Sequence, residues 1–232
     1  MPLSRASARK ALWPAGMDDA SVESVHPAEA DITTALRSGS AVQPETSLIR
    51  WLRQAGEEPT WPLRQAMALT RARIAFRRCQ QVGRRPRLFG RCKVINYSRI
   101  TIGDRLLMHG DTVRCELGAH GGGSLEIGHG VFINYGSSIS AHQRVQIGDG
   151  SLIGQYAIIM DCDYHEPGGG SGHGDARPIE IGRGVWIGAR VTILKGVSIG
   201  DGAVIGAGSV VTSDIPARVL AAGVPARVLK SL

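Results

Sequence analysis

Residues 181–216 read, in blocks of six, IGRGVW, IGARVT, ILKGVS, IGDGAV, IGAGSV and VTSDIP. Ile181, Ile187, Ile193, Ile199, Ile205 and Val211 open the blocks. A period of six is neither the 3.6 of an α-helix nor the two of a strand, so each block is a short strand plus a turn. The opening aliphatic points inward. Gly at the second place is expected to supply the backbone angles of a corner. The fifth place is small or branched, as at Val185, Val191, Val197, Ala203 and Ser209. Three blocks close one triangular coil, and stacked coils make a solenoid of parallel strands about 4.8 Å apart.

The period extends backward through Ile159, Ile153 and Ile147, then Ile139, Ile133 and Ile127, with two extra residues between Ile139 and Ile147. Ile102 and Met108 keep the spacing, and GAHGGGS (118–124) interrupts it. The predicted β-helix therefore runs from about Lys93 to Ile215, closed by ARVLAAGVPARVLKSL (217–232). HEPGGGSGHGDAR (165–177) does not fit within a coil, so an external loop is expected over 164–178. Long excursions from a rigid scaffold are preferred places for chemistry.

Before the repeats, residues 1–45 mix Ala, Ser, Pro, Glu and Asp without period and read as a flexible arm. Residues 46–92 read as a helical, basic extension. Leu48, Ile49, Trp51 and Leu52 point to a short helix ended by Gly56. A second helix starts near Thr60 with Pro62 in its first turn, and Leu63, Met67, Leu69, Ile74 and Phe76 form an apolar stripe expected to pack.

Among 232 residues, 31 Gly and 5% aromatics argue against a helix bundle. Cys79, Cys92, Cys115 and Cys162 have neither disulfide-scaffold density nor a paired C-x-x-C, and read as reduced thiols. ALWPAGM (11–17) is too short and too soon acidic for a signal segment, and no apolar run reaches about 18 residues; a soluble, cytoplasmic protein is expected. The net charge of +7 concentrates in 61–93, where nine Arg and Lys93 occur without Asp or Glu. That stretch is either a solvated face or a contact for the inner face of an anionic membrane; the rest is nearly balanced, so nucleic acid is not an expected partner.

INYGSSI (133–139), DCDYHEP (161–167), IEIGRGVWIGARVTILKGVSIG (179–200), AVIGAGSVVTSDIP (203–216) and AAGVPARVLK (221–230) resemble the hexapeptide-repeat O-acetyltransferases, which act on galactosides, maltose, nodulation factors and exopolysaccharides. The resemblance covers about 93–230. It implies an all-β, left-handed parallel β-helix that transfers acetyl from acetyl-CoA to a sugar hydroxyl, without a metal. His165 matches the general base; an imidazole with a reference pKa near 6.5 can take a hydroxyl proton at neutral pH. Asn134, Asp161 and Asp163 match or resemble acceptor-side residues, the aspartates also being placed to orient an imidazole. Asn134 is equally readable as a corner residue with left-handed angles. Ala189, Ala207 and Thr212 match pantetheine contacts, and Arg227 and Lys230 match cations beside the CoA phosphates.

Ala141 and His142 stand where galactoside acetyltransferase has an acidic contact, which moves the expected acceptor toward a polymer or glycolipid. Ala189 stands where that enzyme has Ser, leaving only a backbone N–H for a thioester oxyanion. The resemblance further implies a homotrimer with sites between subunits, His165 facing a neighbour's coils. Trp186, at a coil edge, reads as packing. Three alternatives remain: an N-acetyltransferase of an amino sugar, a non-enzymatic β-helix assembly subunit, and a zinc hydratase of the γ-carbonic-anhydrase kind. The last needs three zinc-binding histidines, and His129, His142, His165 and His173 contain no H-x-x-x-x-H pair.

Overall fold

The computed structural model describes residues 60–165 and 174–232. The readings of 1–45 and of a helix near 48–56 lie outside these residues, as do loop positions 166–173.

Helix α1 (Trp61–Ala75) begins at Thr60 with Pro in its first turn. Its packing face differs from the expected stripe. Ala68, Ala72 and, just beyond it, Phe76 are buried, whereas Leu63, Met67 and Ile74 are 65%, 42% and 58% exposed. Small alanines let the helix lie close on the first coil, and the large aliphatics are left on the outer side.

The strands stack in three columns. The first face holds β1 (Gln81–Val82), β3 (Arg99–Ile102), β5 (Ser124–Ile127), β8 (Arg144–Ile147), β11 (Ile179–Ile181) and β14 (Ser198–Ile199), all parallel. The second holds β6 (Phe132–Ile133), β9 (Leu152–Ile153), β12 (Trp186–Ile187), β15 (Val204–Ile205) and β17 (Val219–Gly223). The third holds β7 (Ser138–Ala141), β10 (Ile158–Met160), β13 (Thr192–Ile193) and β16 (Val210–Val211). Two long strands, β2 (Arg87–Asn96) and β4 (Leu107–Ala119), bend round from the second face to the third with a bulge between them. The parallel stack thus starts at Gln81, ahead of the predicted Lys93. At the other end β17 pairs antiparallel with β18 (Ala226–Ser231), so the closing segment is a hairpin that ends the column.

In-register pairing puts the block-opening residues in ladders: Ile133, Ile153, Ile187 and Ile205 on one face, Ile139, Ile159, Ile193 and Val211 on the next. All eight are at most 1% exposed. Each such side chain contributes roughly 1.5–3 kcal/mol by leaving water, so the ladders are the core.

The second-place glycines act differently from the expectation. None has a positive φ. A Cβ on Gly148 would lie 2.5 Å from the backbone of Gly182, and one on Gly188 would lie 2.6 Å from the amide of Ala207. Their role is close approach of one coil to the next. The left-handed angles fall two residues later, at Gly130, Gly150, Gly184 and Gly202, and at Tyr156 and Arg190 on another edge.

Candidate active site

The excursion leaves the third edge, where the third face turns into the first. Asp161 is the last residue of the coil, and Arg177 resumes it by donating its N–H to the Asp161 carbonyl (2.8 Å). A Cys162–Ala176 antiparallel bridge closes the neck. The loop therefore departs at 162–176, against the expected 164–178. Cys162 Sγ donates to the Gly174 carbonyl and accepts from the Tyr164 amide. His165 is exposed just outside this neck. Gly174 lies against it: a Cβ there would be 2.7 Å from the His165 carbonyl oxygen.

The two aspartates part company. Asp161 is fully buried, and its carboxylate accepts the N–H groups of His142 (2.7 Å), Gln143 (2.8 Å) and Arg144 (2.7 Å). It pins the turn of the preceding coil, so its expected place beside a sugar or imidazole is replaced by a structural one. Asp163 is exposed and paired with Lys195. Lys195 also reaches the Asp175 carbonyl (3.1 Å) and carboxylate (3.4 Å), joining both legs of the loop to the coil above. The Asp163 hydrogen bond holds the Lys195 ammonium above its ordinary pKa.

The same edge carries a ring ladder that spacing alone did not single out. Tyr97 and His120 have centroids 5.8 Å apart, His120 and His142 stack at 4.9 Å, and His142 meets Tyr164 edge-on at 4.7 Å. The Tyr164 hydroxyl donates to Ser140 Oγ (2.7 Å). A signal existed: Tyr97, His120 and His142 each follow the last residue of a third-face strand run, so coil register aligns them.

The remaining predicted residues fall elsewhere. Asn134 begins the second edge, between the second and third faces. It is nearly buried, with Nδ2 3.5 Å from Gln155 Oε1 and Oδ1 accepting the Tyr135 N–H (2.8 Å). Its φ is not positive, so the corner-angle reading does not apply. Asn134 is in register with Gly154, Gly188 and Gly206. One residue on, Tyr135 is followed up the edge by Gln155, Ala189 and Ala207, linked through Arg190 N–H to Gln155 O and Gly208 N–H to Ala189 O, each 2.8 Å. Arg227 pairs with Ala222 at the top of this edge, and Lys230 lies on the same hairpin. Both cations, Ala207 and Thr212 are exposed. Thr212 follows β16 and so lies on the loop's edge rather than with the alanines. Within one chain, Asn134 and the alanine line occupy one edge and His165 another.

The faces differ in what they show outward. The second presents Leu107, Phe132, Leu152, Trp186, Val204 and Leu220 in register, with Trp186 37% exposed. The first presents Glu126, Arg144 and Glu180, ion-paired at 3.9 and 3.1 Å. Among the described residues no three His, Cys, Asp or Glu side chains are grouped to hold a metal ion. His129 Nδ1 accepts the Asp104 N–H. No described helix is long and apolar enough to cross a membrane.

Residues 178–213 match the bacterial transferase hexapeptide family, six repeats. Over 113 residues the chain is 42% identical to galactoside O-acetyltransferase of Escherichia coli (strain K12), covering 48% of this chain but only 56% of that enzyme. It is 32% identical over 173 residues to the putative lipopolysaccharide biosynthesis O-acetyl transferase WbbJ of the same strain, covering 68% of this chain and 82% of that one. A solved structure of galactoside acetyltransferase in complex with coenzyme A superimposes with a TM-score of 0.52 at 28% identity, over 86% of this chain and 90% of that one. The three-faced column is thus the left-handed β-helix of those enzymes, and the chain belongs to the hexapeptide-repeat transferase family.

Proposed function

We propose that the protein is an acetyl-CoA-dependent O-acetyltransferase acting on a sugar hydroxyl, with His165 as general base. The observation that carries the reading is that the column holds an exposed imidazole at the neck of its loop on one edge and, on another, a line of small residues that ends at a hairpin carrying two exposed cations.

The donor fits that second edge. Ala189 and Ala207 let a pantetheine arm approach backbone amides, and Arg227 and Lys230 complement the phosphates. His165 takes the proton of the acceptor hydroxyl as its oxygen attacks the thioester carbonyl. The tetrahedral intermediate collapses with cleavage of the C–S bond, and the imidazolium returns its proton to the leaving thiolate. One acetyl ester and one free thiol result. The Ala189 N–H is a candidate oxyanion donor; loss of one such donor costs about 3 kcal/mol elsewhere.

Because His165 and the alanine line lie on different edges, a complete site requires a neighbouring copy. The apolar row through Trp186 on the second face is the natural contact for a homotrimer, since a ladder of six aliphatic and aromatic side chains is poorly placed in water while the charged first face is not. Ala141 and His142 stand where the galactoside enzyme resemblance leads one to expect an acid, and the His142 ring stacked on His120 favours a larger glycan over a small galactoside. A lipid-linked or polymeric glycan made at the cytoplasmic side of a membrane suits this acceptor edge.

The test is turnover with acetyl-CoA and a panel of glycans, read by product mass. His165→Ala is expected to lower turnover by about 10²–10⁴ with coenzyme A binding and assembly intact. Unchanged turnover removes His165 from the mechanism, and no acetylated glycan with any acceptor removes the proposal.

A further inference from the structure

We propose that the N-terminal end of the column docks on an anionic phospholipid surface, with Leu63, Met67 and Ile74 of α1 entering the headgroup layer and Arg73, Arg77 and Arg85 holding lipid phosphates. The inference stands apart from the transferase reading, since none of these residues touches the candidate site.

Charge alone leaves two readings of segment 61–93: a solvated face or a membrane contact. The helix orientation separates them. A solvated face would turn its aliphatics inward, yet α1 packs through Ala68, Ala72 and Phe76 and turns Leu63, Met67 and Ile74 outward. Positions 63, 67 and 74 are spaced four and seven apart and therefore share one side of the helix. The helix is tied down: Arg87 of β2 donates to Gln65 Oε1 (3.3 Å). The outward stripe is thus a fixed feature of the fold.

Beside it lies a cavity of about 640 Å³ between the end of α1 and the first turn of the column. Phe76 and Pro86 line it as apolar, buried surface, and Arg73, Arg77, Arg84 and Arg85 contribute guanidiniums. Arg84 is paired with Asp104 at 3.1 Å. Among the described residues Arg73, Arg77 and Arg85 meet no carboxylate. Apolar side chains flanked by uncompensated arginines match the boundary of an anionic bilayer, where acyl chains and phosphates occur within a few ångströms of each other. A second copy would bring the same positive patch against itself, and nucleic acid would leave the aliphatic stripe in water.

The full-length protein is sedimented with vesicles of phosphatidylcholine containing phosphatidylglycerol, and with pure phosphatidylcholine vesicles, at low and high salt. Salt-sensitive binding to the mixed vesicles alone is expected, weakened about tenfold or more by Leu63→Ser/Ile74→Ser and likewise by Arg73→Gln/Arg77→Gln/Arg85→Gln. Both variants should keep the wild-type melting temperature and acetyl transfer to a soluble acceptor. The proposal is overturned if mixed vesicles do not bind, if neutral vesicles bind equally, or if either variant binds as wild type does. Sedimentation velocity showing self-association that Leu63→Ser/Ile74→Ser abolishes would assign the stripe to a second copy and likewise overturn it.

Discussion

Three backbone N–H groups converge on the Asp161 carboxylate, and a buried anion so engaged has little left for a ligand. Asp161→Ala should therefore cost about 3 kcal/mol of stability, seen as an earlier urea midpoint, because the 142–144 turn loses its acceptors. A shift in acceptor KM without loss of stability would refute this assignment. Gly174 is the converse case, a residue without chemistry whose close approach to the His165 carbonyl sets the position of the proposed base. Gly174→Ala should push the His165 backbone and lower turnover at least tenfold while leaving the melting temperature within a few degrees; wild-type turnover would show that the loop adjusts freely. The thiols add a pH dependence. Burial pushes Cys79 and Cys115 up to about 11, from an ordinary value of 9.0. The folded state therefore holds these protons more tightly than the unfolded chain. That stabilisation is fully present below about pH 9 and is lost as pH rises toward 11. Urea midpoints across this range should fall, and a flat profile would contradict the burial argument.

At the scale of the coil, two kinds of glycine make different predictions. Gly148→Ala places a Cβ 2.5 Å from the next coil, whereas Gly150→Ala has open space and only a φ of 68° to tolerate. The first should destabilise by several kcal/mol, because backbone of both coils must move, and the second by about 1–2 kcal/mol. Equal losses in chemical denaturation would mean that angle, and not spacing, governs the corner. From the hexads the repeating short strands and their inward residues were legible, since a period of six leaves few alternatives, whereas the start of the stack at Gln81 and the neck of the loop at Cys162 and Ala176 were not. The role of the second-place glycine was not, because a letter that permits any φ also permits any contact. The outward turn of Leu63 and Ile74 was likewise hidden: helical spacing shows that they share a side, and only packing against β2 shows which side is covered.

For the whole molecule, assembly and activity should be inseparable. Trp186→Asp puts a charge in the middle of the apolar row, so sedimentation should report monomer, and acetyl transfer should fall with it. An active monomer would dismiss the shared site. The ring ladder starts at Tyr97, one residue past the strand against which α1 packs, and ends at Tyr164, the neighbour of His165.

The hexads by themselves determined the column, its hydrophobic ladders and the neighbourhood of the loop, because inward side chains recur at a spacing that one geometry satisfies. The motif residues also named His165, Asn134 and the alanines as candidates. Tertiary structure alone decided that Asp161 holds a turn, that His165 and Asn134 lie on separate edges, and that the second face is apolar outside. Those facts depend on which coil lies over which, a vertical register that arises only when the chain has wound upon itself.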